Sequence, residues 1–187
     1  MHCHRGRPPR QRSLPPSHAP FALSTPERLR RWLRLVADCL ADPDATLTAT
    51  DYTRLMDSFW RLTNDELMGL YPTPSHYGTF AMMCKAIISC STLGHALHRG
   101  RRFYQLFNGV PGIEISQDGQ TTRIELQMHS ELDPDHFLSE SLLVIWHRLS
   151  SWLVGQGIPL LSVGCAYPAP PHAALYQDLF ATPVRFN

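Results

Sequence analysis

Ten histidines make metal binding and acid–base chemistry the first questions to put to this chain. His95 and His98 stand three residues apart, close enough on a helix to share an ion. Their neighbours are Arg99, Arg101 and Arg102 rather than acids or cysteines, and positive charge opposes a cation there. His2, Cys3 and His4 stand in direct succession, a run that cannot wrap one tetrahedral ion, and no fourth ligand follows at finger spacing. His129 and His136 flank a loop carrying Glu131, Asp133 and Asp135, which reads as a solvated polar turn. His147 and Arg148 are placed at the solvent edge of a helix. Ser89, Cys90 and Ser91 offer nucleophiles with no base implied nearby, and the chain has neither G-x-S-x-G nor a glycine-rich phosphate loop. The carboxylate pairs Asp65/Glu66 and Asp133/Asp135 fall in turns, where helix capping accounts for them. These patterns argue against an enzyme and imply neither a metal nor another cofactor.

Binding chemistry remains. A small-molecule pocket is mostly apolar with a few placed polar groups. Trp60, Met68, Tyr77, Phe80, Met83, Phe103, Phe107 and Trp146 are the candidate walls, and His95, Arg102 and Tyr104 the candidate anchors, the arginine being suited to a carboxylate. Aromatic and methionine residues at helical spacing also build ordinary cores, so each residue has a structural reading beside the functional one.

The elements that would position these residues are legible from period and punctuation. Residues 1–23 form a basic arm of interspersed Arg and Pro with no acid, a composition expected to be disordered. Thr25, Pro26 and Glu27 sign the start of a helix whose stripe is Leu29, Trp32, Leu33, Val36 and Leu40. Thr48 and Asp51 form a capping box for a second helix with Tyr52, Leu55, Met56, Phe59 and Leu62 as its expected buried stripe. A proline-punctuated loop, Gly69 to Phe80, leads to a helix from about Thr79 to Cys90 that is apolar nearly all round and is expected at the centre of the core. Thr92 caps the next helix, with Leu93, Ala96, Leu97, Phe103 and Phe107 inward. The period then changes to two: Ile113 and Ile115, then Ile124, Leu126 and Met128, alternate with polar residues around a turn at Gln117 to Gly119. Asp133 and Pro134 open a long helix carrying Leu138, Leu142, Ile145, Trp146, Leu149 and Leu153, which Gly155 ends. A strand at Leu161 to Tyr167, a short helix at His172 to Phe180 and a closing strand from Val184 complete the order. The fold class is α+β: a helical N-terminal half on a small antiparallel sheet, in β-β-α-β order.

Bulk composition sets limits. The chain has 187 residues, 43% of them hydrophobic and 18% charged, enough for a real core. A formal charge of +1 supplies no global field for nucleic acid or an anionic membrane. Cys3, Cys39, Cys84, Cys90 and Cys165 are odd in number and contain no C-x-x-C, against a disulfide framework. No apolar run approaches the ~18 residues of a membrane span, and no signal-peptide h-region is present. A cytoplasmic protein is expected.

Five phrases in order carry a family resemblance. They are G-L-x-P-x-P-x-x-x-G-x-F from Gly69, T-L-x-x-A-L-x-x-x-x-R-F-Y from Thr92, W-L at Trp152, P-x-P at Pro168, and Y-x-x-L-F-x-x-P-V-x-F from Tyr176. Together they resemble the N-terminal arabinose-binding-like region of AraC-type bacterial transcription regulators. The resemblance implies an effector-sensing domain over residues 24–187 that binds a small molecule, forms a homodimer and controls DNA binding. It also implies that DNA is met only through a helix-turn-helix domain absent from this sequence, whose last residues read as a strand cut off before its partner. The element order is similar to helical domains with a small sheet and unlike a cupin barrel, which needs many more strands. Two other readings stand beside it: a ligand-free dimerisation or protein-interaction module, and a haem or metal sensor.

Overall fold

The computed structural model describes residues 37, 41, 47–107, 111–128 and 131–187. The basic arm lies outside these residues, as does the helix expected from Thr25 except for Ala37 and Ala41. The chain divides between Thr63 and Asn64 into two units.

In the first unit, α1 spans Ala49–Thr63. Thr48 caps it as expected: its Oγ1 accepts from the Asp51 N–H at 3.1 Å and donates to Asp51 Oδ2 at 2.8 Å. The expected stripe is covered only in part, at half-buried Leu55 and Met56. Tyr52, Phe59 and Leu62 are exposed, whereas Asp51 and Ser58 are buried. Helical spacing fixes which residues share a face; it does not fix which face is covered.

The second unit begins with a polar hub. Asp65 Oδ1 accepts from the N–H groups of Leu67 (2.9 Å) and Ser75 (3.0 Å), and Oδ2 accepts from Gly69 at 2.7 Å. Glu66 accepts from Gly78 (2.8 Å) and Phe80 (2.9 Å) with its two carboxylate oxygens. It thereby caps α2, Thr79–Ile87, whose own N-cap, Gly78, has no side chain to do so. Capping accounts for Glu66, at longer range than a local box, whereas Asp65 ties together the loop itself. The loop so folded contributes Leu67 and Tyr71 to a core cluster with Leu138.

Helix α2 is not buried all round. Met83 and Ile87, one turn apart, face inward, while Met82 and Ile88 are 57% and 58% exposed. Helix α3, Leu93–Tyr104, starts where expected, with Thr92 Oγ1 accepting from the His95 N–H at 3.2 Å. The hairpin follows: β1, Gly112–Asp118, pairs antiparallel with β2, Thr121–Gln127, placing Ile113 opposite Leu126 and Ile115 opposite Ile124. Gly119 opens the tight turn at φ +57°. Arg101 joins α3 to the hairpin, its Nε donating to the Ile113 carbonyl at 2.8 Å and its guanidinium pairing with Glu114 at 2.8 Å.

Helix α4, Phe137–Val154, begins later than Asp133 and Pro134 suggest. Asp133 nonetheless caps it, accepting from the N–H groups of Leu138 (2.9 Å) and Ser139 (2.8 Å) and from the Ser139 hydroxyl at 2.7 Å. Gly155 ends it at φ +69°, as expected. His147 is half-buried rather than at the solvent edge: its Nε2 donates to the Ile158 carbonyl at 2.8 Å, because the chain doubles back beside the helix. Strand β3 is shorter than expected, Val163–Cys165, and is followed by α5, Leu175–Phe180, and β4, Val184–Phe186. The closing strand does have a partner. It pairs in parallel with β3, Val163 opposite Val184 and Cys165 opposite Phe186, and α5 lies in the crossover that a parallel pair requires. The architecture is α+β, with five helices, two two-stranded sheets and no closed barrel among the described residues.

Replacing Asp65 by alanine leaves three backbone N–H groups without their acceptor. It is expected to cost roughly 3 kcal/mol, read as a lower urea midpoint at unchanged m-value, with Asp65→Asn recovering part of the loss.

Candidate functional site

Three elements of the second unit bring four of the sequence candidates together: Met83 from α2, Phe103 and Tyr104 from α3, and Trp146 from α4. Met83 packs with Ile87 and Ala96, and Phe103, Tyr104, Cys84, Leu149 and Leu153 pack against that group. Trp146 packs with Leu97 and Ile113, and Tyr104 reaches this group too. Gly100 makes the approach possible. A Cβ there would lie 3.2 Å from Trp146 Cη2 and 3.4 Å from Met83 Sδ. The rings meet edge-on, Phe103 with Tyr104 at 5.7 Å and 89°, and Tyr104 with Trp146 at 6.5 Å and 67°.

The cluster carries one polar anchor expected from the sequence, Tyr104, together with the Cys84 thiol and the influence of Glu66, which the sequence did not suggest. Burial holds the Tyr104 phenol well above its usual range, and Glu66 and Cys84 push it further in the same direction. Burial also raises the Cys84 thiol, with Glu66 adding to the shift. Tyr104 is therefore a neutral hydrogen-bond donor at physiological pH. Glu66 was legible as a capping carboxylate, but its electrostatic effect on Tyr104 depends on how α2 packs against α3, which no local spacing encodes.

The other candidates lie elsewhere. Tyr77, Phe80 and Phe107 are exposed, although Phe107 touches Phe103, ring to ring, at 5.3 Å. His95 and Arg102 are exposed on α3, and the arginine with a structural task is Arg101. Trp60 belongs to the first unit; its indole N–H is buried without a hydrogen-bond partner among the described residues. Met68 is half-buried in the left-handed region at φ +59°. The acidic loop before α4 commits Asp133 to capping, and His136 stacks on Tyr167; His129 lies outside the described residues. Among the described residues no group of three His, Cys, Asp or Glu side chains is placed to hold a metal ion. No helix among them is long and apolar enough to cross a membrane.

The second unit thus sets its helices and hairpin around an aromatic–sulfur cluster with a phenol and a thiol, both subject to the charge of Glu66. The family described as the arabinose-binding domain of AraC transcription regulators, N-terminal, matches residues 24–187, and the chain belongs to it. A curated relative, the ornithine utilization regulator of Pseudomonas aeruginosa, is 23% identical over 156 residues, which cover 82% of this chain and 46% of the relative. No solved structure matches the chain.

Two outcomes follow from the cluster. Gly100→Val places branched carbons against Trp146 and Met83 and is expected to destabilise the chain by roughly 2 kcal/mol, measured by urea unfolding. The second concerns alkaline pH. Tyr104 and Tyr71 both bind their protons more tightly in the folded chain, so their contribution is complete below the ordinary phenol value of 10.0 and is lost as pH rises above it. Unfolding free energies measured above that value should fall by up to about 1.4 kcal/mol per pH unit for each titrating phenol, and Tyr104→Phe should flatten the fall.

Proposed function

We propose that this chain is the effector-sensing and oligomerisation region of an AraC-type transcription regulator. It binds a small metabolite and biases a DNA-binding domain that lies outside the sequence, in the cytoplasm and as a homodimer. The observation that carries this reading is the cluster of Met83, Phe103, Tyr104 and Trp146 around Gly100, in a chain matched to the family over residues 24–187. The chain spans 46% of its curated relative, leaving room in that protein for a second domain. Such a sensor works by differential binding to two conformations. Met83 and Trp146 are buried, so an effector meets them through a local opening, with half-buried Phe103 and Tyr104 at the rim. Trp60, Tyr77, Phe80, His95, Arg102 and Phe107 remain candidate contacts from the sequence. Arg102 suits a carboxylate, whereas the charge of Glu66, which acts on Tyr104, suits an amino group.

The interaction-module reading has an observation of its own. Ile145 and Trp152 of α4 and Leu175 and Leu179 of α5 are exposed, and Arg148 links the two helices by donating to the Leu179 carbonyl at 3.3 Å. An apolar surface of this kind suits a second copy of the chain.

The test is calorimetric and thermal titration with a panel of amines, amino acids and carboxylates, beginning with ornithine because of the relative's name. One compound at about a hundredfold excess over its Kd is expected to stabilise the chain by about 2.7 kcal/mol, and Trp146→Phe should weaken that response while the chain stays folded. A silent panel with a concentration-independent dimer would favour the interaction module instead.

A further inference from the structure

A second polar cluster sits at the opposite end of α4 from the Gly155 cap, and the sensing reading does not use it. Glu140, in the first turn of α4, accepts the hydroxyl of Tyr176 on α5 and lies 3.0 Å from His172 Nε2. Tyr176 has one hydroxyl proton, and the carboxylate takes it. The 3.1 Å contact between the Tyr167 and Tyr176 hydroxyls is therefore donated by Tyr167. These groups lie within a core of Val163, Cys165, Tyr167, Tyr176 and Phe180, against which Val184 and Phe186 pack. A satisfied chain of this kind fixes its members jointly, whereas a broken one leaves buried polar atoms without partners.

The two phenol rings form the seat of β4. Phe186 stands opposite Cys165 in the parallel pair, meets Tyr176 edge-on at 5.5 Å and 86°, and lies 6.2 Å from Tyr167. The Asn187 N–H donates to the Tyr167 carbonyl at 3.2 Å. Only three residue pairs hold β3 to β4, so the strand depends on these flanking contacts.

We propose that the hydrogen-bond chain Tyr167–Tyr176–Glu140 is a latch that ties β4 to α4, and that displacement of α4 releases β4. The second half rests on the sensing function proposed above. Trp146 of the aromatic cluster is on the same helix as Glu140, about 9 Å further along its axis at ~1.5 Å per residue. A shift of α4 forced at Trp146 therefore arrives at Glu140 with little loss, because a helix is stiff along its axis and packed contacts switch rather than stretch.

The experiment is amide hydrogen exchange on the wild-type chain, Tyr176→Phe and Gly100→Ala. Tyr176→Phe keeps the ring and removes the proton. The amides of Val163–Cys165 and Val184–Phe186 are expected to exchange roughly five- to tenfold faster, with α3 amides at wild-type rates. Unchanged exchange at β4, or equal acceleration in α3 and β4, overturns the latch. Gly100→Ala pushes on Trp146 from α3 and should accelerate β4 as well; unchanged β4 exchange there overturns the coupling and leaves the latch. Glu140→Gln keeps an acceptor oxygen and should give a weaker form of the Tyr176→Phe pattern, which serves if that variant does not fold. A chain that answers no effector yet shows these rates would refute the sensing function alone.

Discussion

The contact between Gly100 and Trp146 sets the spacing of the second unit. With no side chain at Gly100, the backbone of α3 comes close enough to α4 for the indole to be buried and for Met83 to reach the same point from α2. Arg101, the next residue, then holds the hairpin through the Ile113 carbonyl and Glu114. Tyr104, one turn on from Gly100, lies edge-on to the indole. Three helices and a hairpin are thus located by one helical turn and the ring it accepts. Interiors of this density respond to a change of one methyl group, so the whole junction is sensitive to what occupies position 100.

Carboxylates do the corresponding work where the backbone is irregular. Asp65 and Glu66 gather N–H groups between Leu67 and Phe80, from an irregular loop into the first turn of α2, and Asp133 gathers those of the first turn of α4. Each carboxylate oxygen of Asp65, Glu66 and Asp133 accepts from at least one backbone N–H. Glu66 has a second consequence, since the charge that caps α2 also bears on Tyr104 and Cys84. A group needed for folding therefore also shapes the electrostatics of the candidate site.

Helix α4 connects the two halves of this unit. Leu149 and Leu153 pack toward the Met83 group and Trp146 toward Leu97, while Leu143 and Val144 pack toward the β3–β4 core and Glu140 meets Tyr176. That double engagement explains why its apolar residues do not form a single stripe. One element thereby touches both the Met83–Trp146 cluster and the core on which Val184 and Phe186 of β4 pack.

Much of the fold was legible because local chemistry specifies it. Thr48, Thr92 and Gly155 mark helix ends through hydrogen bonds or a left-handed conformation that their own types supply, and alternation in Ile113 to Met128 requires a half-buried hairpin. The ordered phrases from Gly69 to Phe186 were sufficient for the family. Period alone did not reveal which face is covered: Tyr52, Phe59 and Leu62 share a side of α1 and Phe80, Met82 and Ile88 are apolar, yet all are exposed. Among the site candidates, Met83, Phe103, Tyr104 and Trp146 were chosen by residue type, and their meeting was decided by packing. Arg101 rather than Arg102 reaches the hairpin because a single residue turns a helix by about 100°. The parallel pairing of β4 with β3 and the relay from Tyr167 to Glu140 join residues far apart in the chain, so only the tertiary structure could bring their hydrogen-bonding groups within reach.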